Sequence, residues 1–148
     1  MITPQHKRLV QESFPAISDL SGPITKLFYG RLFELAPQVR PMFRQDIAVQ
    51  GRKLMDMLAA LVNNLDRIEA LDPALRALGQ RHAGYGVRPE HYATVGDALI
   101  WAFGIALAGE FTPESIRAWR ELIVEVSTVM KDGADELTPD RIGSPPPQ

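Results

Sequence analysis

The residues able to do chemistry in this chain are few, and most of them sit on apolar helical stripes. His82 follows Leu75 and Leu78 at i, i+3 and i+7, and Gly84-Tyr85-Gly86 stops the helix within two residues of the imidazole. A neutral imidazole so placed can ligate a metal through one ring nitrogen. A lone histidine at a helix end is, taken by itself, more often structural or surface-exposed. Gln50 heads a stripe that continues through Leu54, Met57 and Leu61 at steps of four, three and four. Tyr29 lies in the aromatic-rich turn Leu27-Phe28-Tyr29-Gly30-Arg31-Leu32-Phe33. A phenol and an amide can both donate hydrogen bonds to a polar ligand. Alone, such a tyrosine packs its ring and sends its hydroxyl to water or a carbonyl. Phe43 closes Arg40-Pro41-Met42-Phe43 at a chain corner, where an aromatic is ordinarily a core plug.

Prolines and small polar residues mark the elements that must hold these side chains. Thr3-Pro4, Ser21-Gly22-Pro23, Asp72-Pro73 and Thr112-Pro113-Glu114 put capping side chains at or near prolines suited to a first helical turn. Ala36-Pro37 and Arg88-Pro89 add two boundaries, and Asp46 is a candidate cap after Phe43. The spacing predicts helices near 4–20, 23–35, 37–43, 47–65, 73–83, 89–109 and 113–136, and no strands. Leu58, Val62 and Leu65 form a second stripe beside the first on the 47–65 helix, so that helix buries a broad face. Gly51 within it reads either as fraying or as the point of another helix's close approach. Helices of such unequal length suggest an orthogonal all-α packing that could enclose a pocket. Residues 1–136 are expected to form one domain, with a proline-rich, disordered tail over 137–148.

Composition narrows the chemistry. The chain has 148 residues, three histidines and no cysteine, so thiolate nucleophiles, Fe–S clusters and disulfides are excluded and any metal must use nitrogen or oxygen ligands. Sixteen Lys+Arg against eighteen Asp+Glu leave a formal charge of −2, with no basic excess for nucleic acid. The N-terminus lacks the apolar stretch of a secretory signal, which points to a cytoplasmic protein. The apolar run Ala98–Gly109 would span about 18 Å as a helix against a bilayer core of ~30 Å, so no membrane role is expected. The length is also expected to leave no room for a second catalytic module.

Taken together, the order Tyr29, Phe43, Gln50 with Leu54, Leu78 with His82, then His91-Tyr92-Ala93-Thr94-Val95-Gly96 closely resembles the globins. The likeness is to bacterial single-domain haemoglobins related to the globin module of flavohaemoglobins, the Hell's Gate type among them. Gln50-Gly51-Arg52-Lys53-Leu54-Met55, Leu78-Gly79-Gln80-Arg81-His82 with Gly86-Val87, and Phe111-Thr112-Pro113-Glu114 with Trp119 carry it, from about residue 4 to about 130.

The resemblance implies a globin fold of seven to eight helices around haem b (iron protoporphyrin IX). His82 would be the proximal iron ligand, with the opposite position open to O2, NO or CO. Tyr29, Gln50 and Leu54 would contact the gas. Phe43, Lys53, Leu54, Met57, Leu78, Val87, Tyr92 and Val95 would join His82 around the haem, Lys53 beside a propionate or simply in solvent. His91, at a helix start, is expected at the rim or beside a propionate. The family's glutamate beside the proximal histidine falls on Ala134, with Asp132 and Glu136 at the wrong helical phase, although Tyr92 matches its partner tyrosine. The implied function is therefore reversible O2 binding, by a monomer or weak homodimer. The alternative is nitric oxide dioxygenase activity with a separate reductase.

Overall fold

The computed structural model describes residues 2–143, with side chains to residue 136. Among the described residues the architecture is all-α, without a strand. Its helices are α1 (Pro4–Asp19), α2 (Ser21–Leu35), α3 (Ile47–Asn63), α4 (Asp72–Gly84), α5 (Pro89–Leu107) and α6 (Pro113–Gly143). Short 3-10 segments occupy Pro37–Met42, Leu65–Leu71 and Ala108–Glu110.

The caps explain several of these boundaries. Thr3 Oγ1 accepts the His6 N–H at 3.2 Å and Thr112 Oγ1 accepts the Ser115 N–H at 3.1 Å. Asp46 holds the N-cap position of α3 but makes no side-chain capping bond. The α2 helix begins at Ser21, because Gly22 and Pro23 fit inside its first turn, where a proline lacks no needed N–H. The α3 helix stops at Asn63, two residues short of the expected end, since Asn64 leaves helical geometry and a 3-10 segment follows. That segment sits where a plain loop was expected, and its buried Leu65 is what ties it to the core. The α6 helix continues past residue 136 to Gly143. Residues 144–148 of the expected tail lie outside the described residues.

Trp119 of α6 is fully buried at the centre. Its indole N–H donates to Ser13 Oγ of α1 at 2.8 Å, and its ring stands edge-on to Phe103 of α5 at 5.1 Å. A buried indole needs such an acceptor, and the aromatic pair adds about 0.5–1.5 kcal/mol beyond area burial. By length and composition Pro89–Glu110 would suffice to cross a membrane, a wider window than the apolar run suggested. In the fold, Ala98, Leu99, Ile100, Ala102, Phe103 and Leu107 of this stretch are buried in the core.

The closest helix contact joins α4 to α6. A Cβ on Gly79 would overlap the Met130 carbonyl, and one on Gly133 would overlap the Arg76 carbonyl. Each helix thus presents a glycine to the other's backbone. Arg76 fastens the same contact, with Nε 2.7 Å from Asp72 Oδ2 on its own helix and Nη1 2.6 Å from Glu136 Oε2 on α6. Gly51 marks a milder approach, since a Cβ there would meet Thr25 of α2 at 3.0 Å, which decides between its two readings.

Alanine is favoured over glycine inside a helix by about 1 kcal/mol, while overpacking costs about 1–3 kcal/mol. At Gly79 and Gly133 the clash is against backbone, which cannot swing aside, so overpacking wins. Gly79→Ala and Gly133→Ala should each lower the urea midpoint. Gly104→Ala, which would meet nothing within 4 Å, should leave it unchanged or raise it. Equal effects at all three positions would contradict the contact.

Candidate functional site

The three histidines are sorted by their hydrogen bonds. In His82, Nδ1 lies 2.8 Å from the Leu78 carbonyl oxygen. A carbonyl only accepts, so the proton is on Nδ1 and the Nε2 lone pair is left available. Burial pushes the His82 pKa down, and the Arg81 charge adds to this, against the opposing pull of the Leu78 bond. The ring is therefore neutral at ordinary pH, the state a metal ligand requires.

His91 has the opposite tautomer. Its Nδ1 accepts the Arg88 N–H at 3.0 Å, which places the proton on Nε2. It is only 6% exposed and caps the start of α5 from inside. The helix's unsatisfied N-terminal amide claims Nδ1 of this imidazole. His6 Nδ1 is 2.6 Å from Glu121 Oε2, tying α1 to α6.

The sequence places α4's end where His82 needs it. Tyr85 N–H reaches the Arg81 and His82 carbonyls, Val87 N–H returns to His82 O, and Gly86 takes φ +97°. Only glycine adopts that left-handed geometry without strain. Leu78 and His82 stand one turn apart, so the carbonyl–imidazole bond follows directly from helix geometry.

On the α2 side, Tyr29 is 5% exposed. Its ring packs edge-on against Phe28 at 4.8 Å and Phe43 at 5.4 Å, and Phe33 lies 5.4 Å from Phe43. Burial raises the phenol's pKa to about 12, so it remains a proton donor. The chain corner thus brings Phe43 onto Tyr29, two residues that the sequence separates by a whole segment. Gln50 is half-buried at the start of α3, and its Nε2 donates to Gln45 Oε1 at 3.0 Å. Lys53 Nζ donates to the same oxygen at 2.7 Å.

Leu54, Met57, Leu78, Val87 and Val95 are half-buried, like Phe43. Phe43, Leu54, Met57, Leu78 and Val95 pack against the core while keeping some apolar surface exposed, which suits contact with a flat apolar group. Tyr92 is also half-buried, with its pKa raised by burial. It lines a groove of about 180 Å³ between α5 and α6 with Gly96, Ile123, Ser127 and Lys131. Among the described residues, no three His, Asp or Glu side chains converge on a metal position. A single imidazole with its Nε2 lone pair available is what a metal that brings most of its own ligands would take from the protein. Glu136 is engaged with Arg76, and the partner of His82 Nδ1 is a carbonyl, not a carboxylate.

Sequence reasoning missed Gln45, Gly79 and Gly133. Two glycines inside helical stretches are a signal for close approach, but only three-dimensional proximity pairs them. Gln45 carried no signal, being a polar residue in a turn.

Residues 26–130 match the Globin family model. The flavohemoprotein of Rhodopirellula baltica is 32% identical over 82% of this chain and 30% of its own length. That of Deinococcus radiodurans is 30% identical over 88% of this chain and 33% of its own. The chain thus spans about a third of the length of these curated relatives. An engineered carbene transferase from Rhodothermus marinus superposes with a TM-score of 0.86 and 26% identity, over 97% of this chain and 100% of that one. A bacterial globin from Campylobacter jejuni gives a TM-score of 0.80 at 22% identity, over 92% and 99%, and supports the fold. The family match, across most of the chain and with the fold in agreement, places this protein in the globin family, related to the globin domains of flavohaemoglobins.

Proposed function

We propose that this globin binds haem b through His82 Nε2 and holds O2, or another diatomic gas, reversibly on the opposite face. The observation that carries the proposal is the His82–Leu78 bond, which leaves Nε2 unprotonated and aims the ring from a fixed helix end. The absence of cysteine favours a non-covalent haem, because thioether attachment is unavailable. When bound, the haem would supply an iron atom able to take up a diatomic gas.

The chain's own residues would do the rest. Phe43, Leu54, Met57, Leu78, Val87, Tyr92 and Val95 would cover the porphyrin faces and limit water. Tyr29, kept protonated by burial, and Gln50 would each donate a hydrogen bond to a polar gas. Such a bond contributes about 1 kcal/mol in a dry setting, or roughly fivefold in retention. A carbonyl partner for His82 leaves the imidazole less electron-rich than a carboxylate partner would. This favours reversible binding over O–O cleavage.

The second reading is nitric oxide dioxygenase activity with a separate reductase. It is favoured by the flavohemoprotein relatives and by the Rhodothermus marinus protein, whose name carries a nitric oxide dioxygenase designation.

His82→Ala should lose haem retention and the Soret band, whereas His91→Ala should keep haem and lose stability from the missing cap. Haem loss confined to His91→Ala would reverse the assignment. For the distal donors, Tyr29→Phe and Gln50→Leu should each speed O2 dissociation about three- to tenfold. In the unmutated protein that rate should stay flat as pH rises through 10, where an ordinary tyrosine ionises, because the Tyr29 proton is held until about 12. Unchanged rates in both variants would remove the donor roles. NO added to the O2-bound protein should be consumed once per haem. Sustained consumption with reductant and a reductase would establish the second reading.

A further inference from the structure

We infer that Gln45 is a positioning residue that fixes the Gln50 amide with its nitrogen as the donor toward the gas. The inference rests on the proposed role of Gln50. Gln45 Oε1 accepts two hydrogen bonds, from Lys53 Nζ at 2.7 Å and from Gln50 Nε2 at 3.0 Å.

The orientation of both amides follows from donor and acceptor chemistry. A lysine ammonium has three donors and no acceptor, so the Gln45 atom facing it must be the oxygen. The Gln50 atom facing that same oxygen must then be the NH2 group. An amide nitrogen carries two hydrogens in one plane. One goes to Gln45, and the other is left pointing in a direction set by the first.

Without Gln45 the Gln50 amide could turn over and present its oxygen, which repels the partial negative charge of a bound gas. It could also sample its other rotamers, since a glutamine side chain is among those with the most freedom to lose. Lys53 completes the arrangement by holding the Gln45 oxygen in place. Gln50 and Lys53 are separated by three residues on α3, on one helical face, so a single turn residue reaches both. Lys53 therefore acts at this site through Gln45, a role distinct from pairing with a propionate.

The test compares Gln45→Leu, which removes the acceptor, with Gln45→Glu, which keeps an oxygen for both donors, in the haem-loaded protein. The readouts are the infrared C–O stretching band of the CO complex and the O2 dissociation rate. Gln45→Leu should broaden or split the C–O band and speed dissociation about three- to tenfold, and Gln45→Glu should restore both toward the original. In a Gln50→Leu background, Gln45→Leu should add nothing. An unmoved band in Gln45→Leu, while Gln50→Leu shifts it, would overturn the inference alone. Additive effects in the double variant would also overturn it. A silent Gln50→Leu would instead remove the distal role of Gln50, and this inference with it.

Discussion

The backbone contact between α4 and α6 is the constraint on which the rest of the structure depends. Gly79 and Gly133 let the two helices touch main chain to main chain, and the Arg76 bonds to Asp72 and Glu136 close the contact at its edge. His82 stands less than one turn beyond Gly79, so the height and tilt of its ring are inherited from that contact. Any side chain larger than hydrogen at either glycine would push α4 outward and carry the imidazole with it. Alongside, Trp119 anchors α6 to α1 and α5 through Ser13 and Phe103. The helix against which α4 is set is itself held by the middle of the core.

Hydrogen-bond direction, more than proximity, distinguishes the polar groups. His82 and His91 are nine residues apart, yet one donates through Nδ1 and the other accepts there. That difference decides which has a lone pair to offer outward. The same logic sets Gln45 and Gln50, where a donor-only lysine dictates which amide atom faces which. Burial acts in parallel. It lowers the His82 pKa and raises that of Tyr29, keeping the first ready to give a lone pair and the second protonated as a hydrogen-bond donor.

Much of the site was legible in the sequence because helical spacing is short-range. Leu78 and His82 are one turn apart, Gly86 must end the helix, and Gln50 heads a stripe with Leu54 and Met57, all of which follow from local geometry. The proline and capping signals at Thr3, Asp72, Arg88 and Thr112 placed most helix starts for the same reason. Among the boundaries that moved were those at Ser21 and Asn63, where neighbouring segments compete for the first or last turn, and the ends of α5 at Leu107 and α6 at Gly143. The capping role of His91 was not legible, because it depends on the Arg88 N–H turning toward the ring at the start of α5.

By itself, the sequence determined an all-α chain in which any metal must use nitrogen or oxygen ligands, and it carried the motifs that resemble the globin family. The first two rest on composition and periodicity along the chain, and the third on a resemblance carried by local motifs. Only the tertiary structure decided that Gly79 meets Gly133, that Phe43 packs on Tyr29, and that Gln45 binds both Gln50 and Lys53. It also decided the two histidine tautomers. These depend on which carbonyl, ring or ammonium arrives from elsewhere, and a hydrogen bond a few ångströms long exists only once the packing has brought its two ends together.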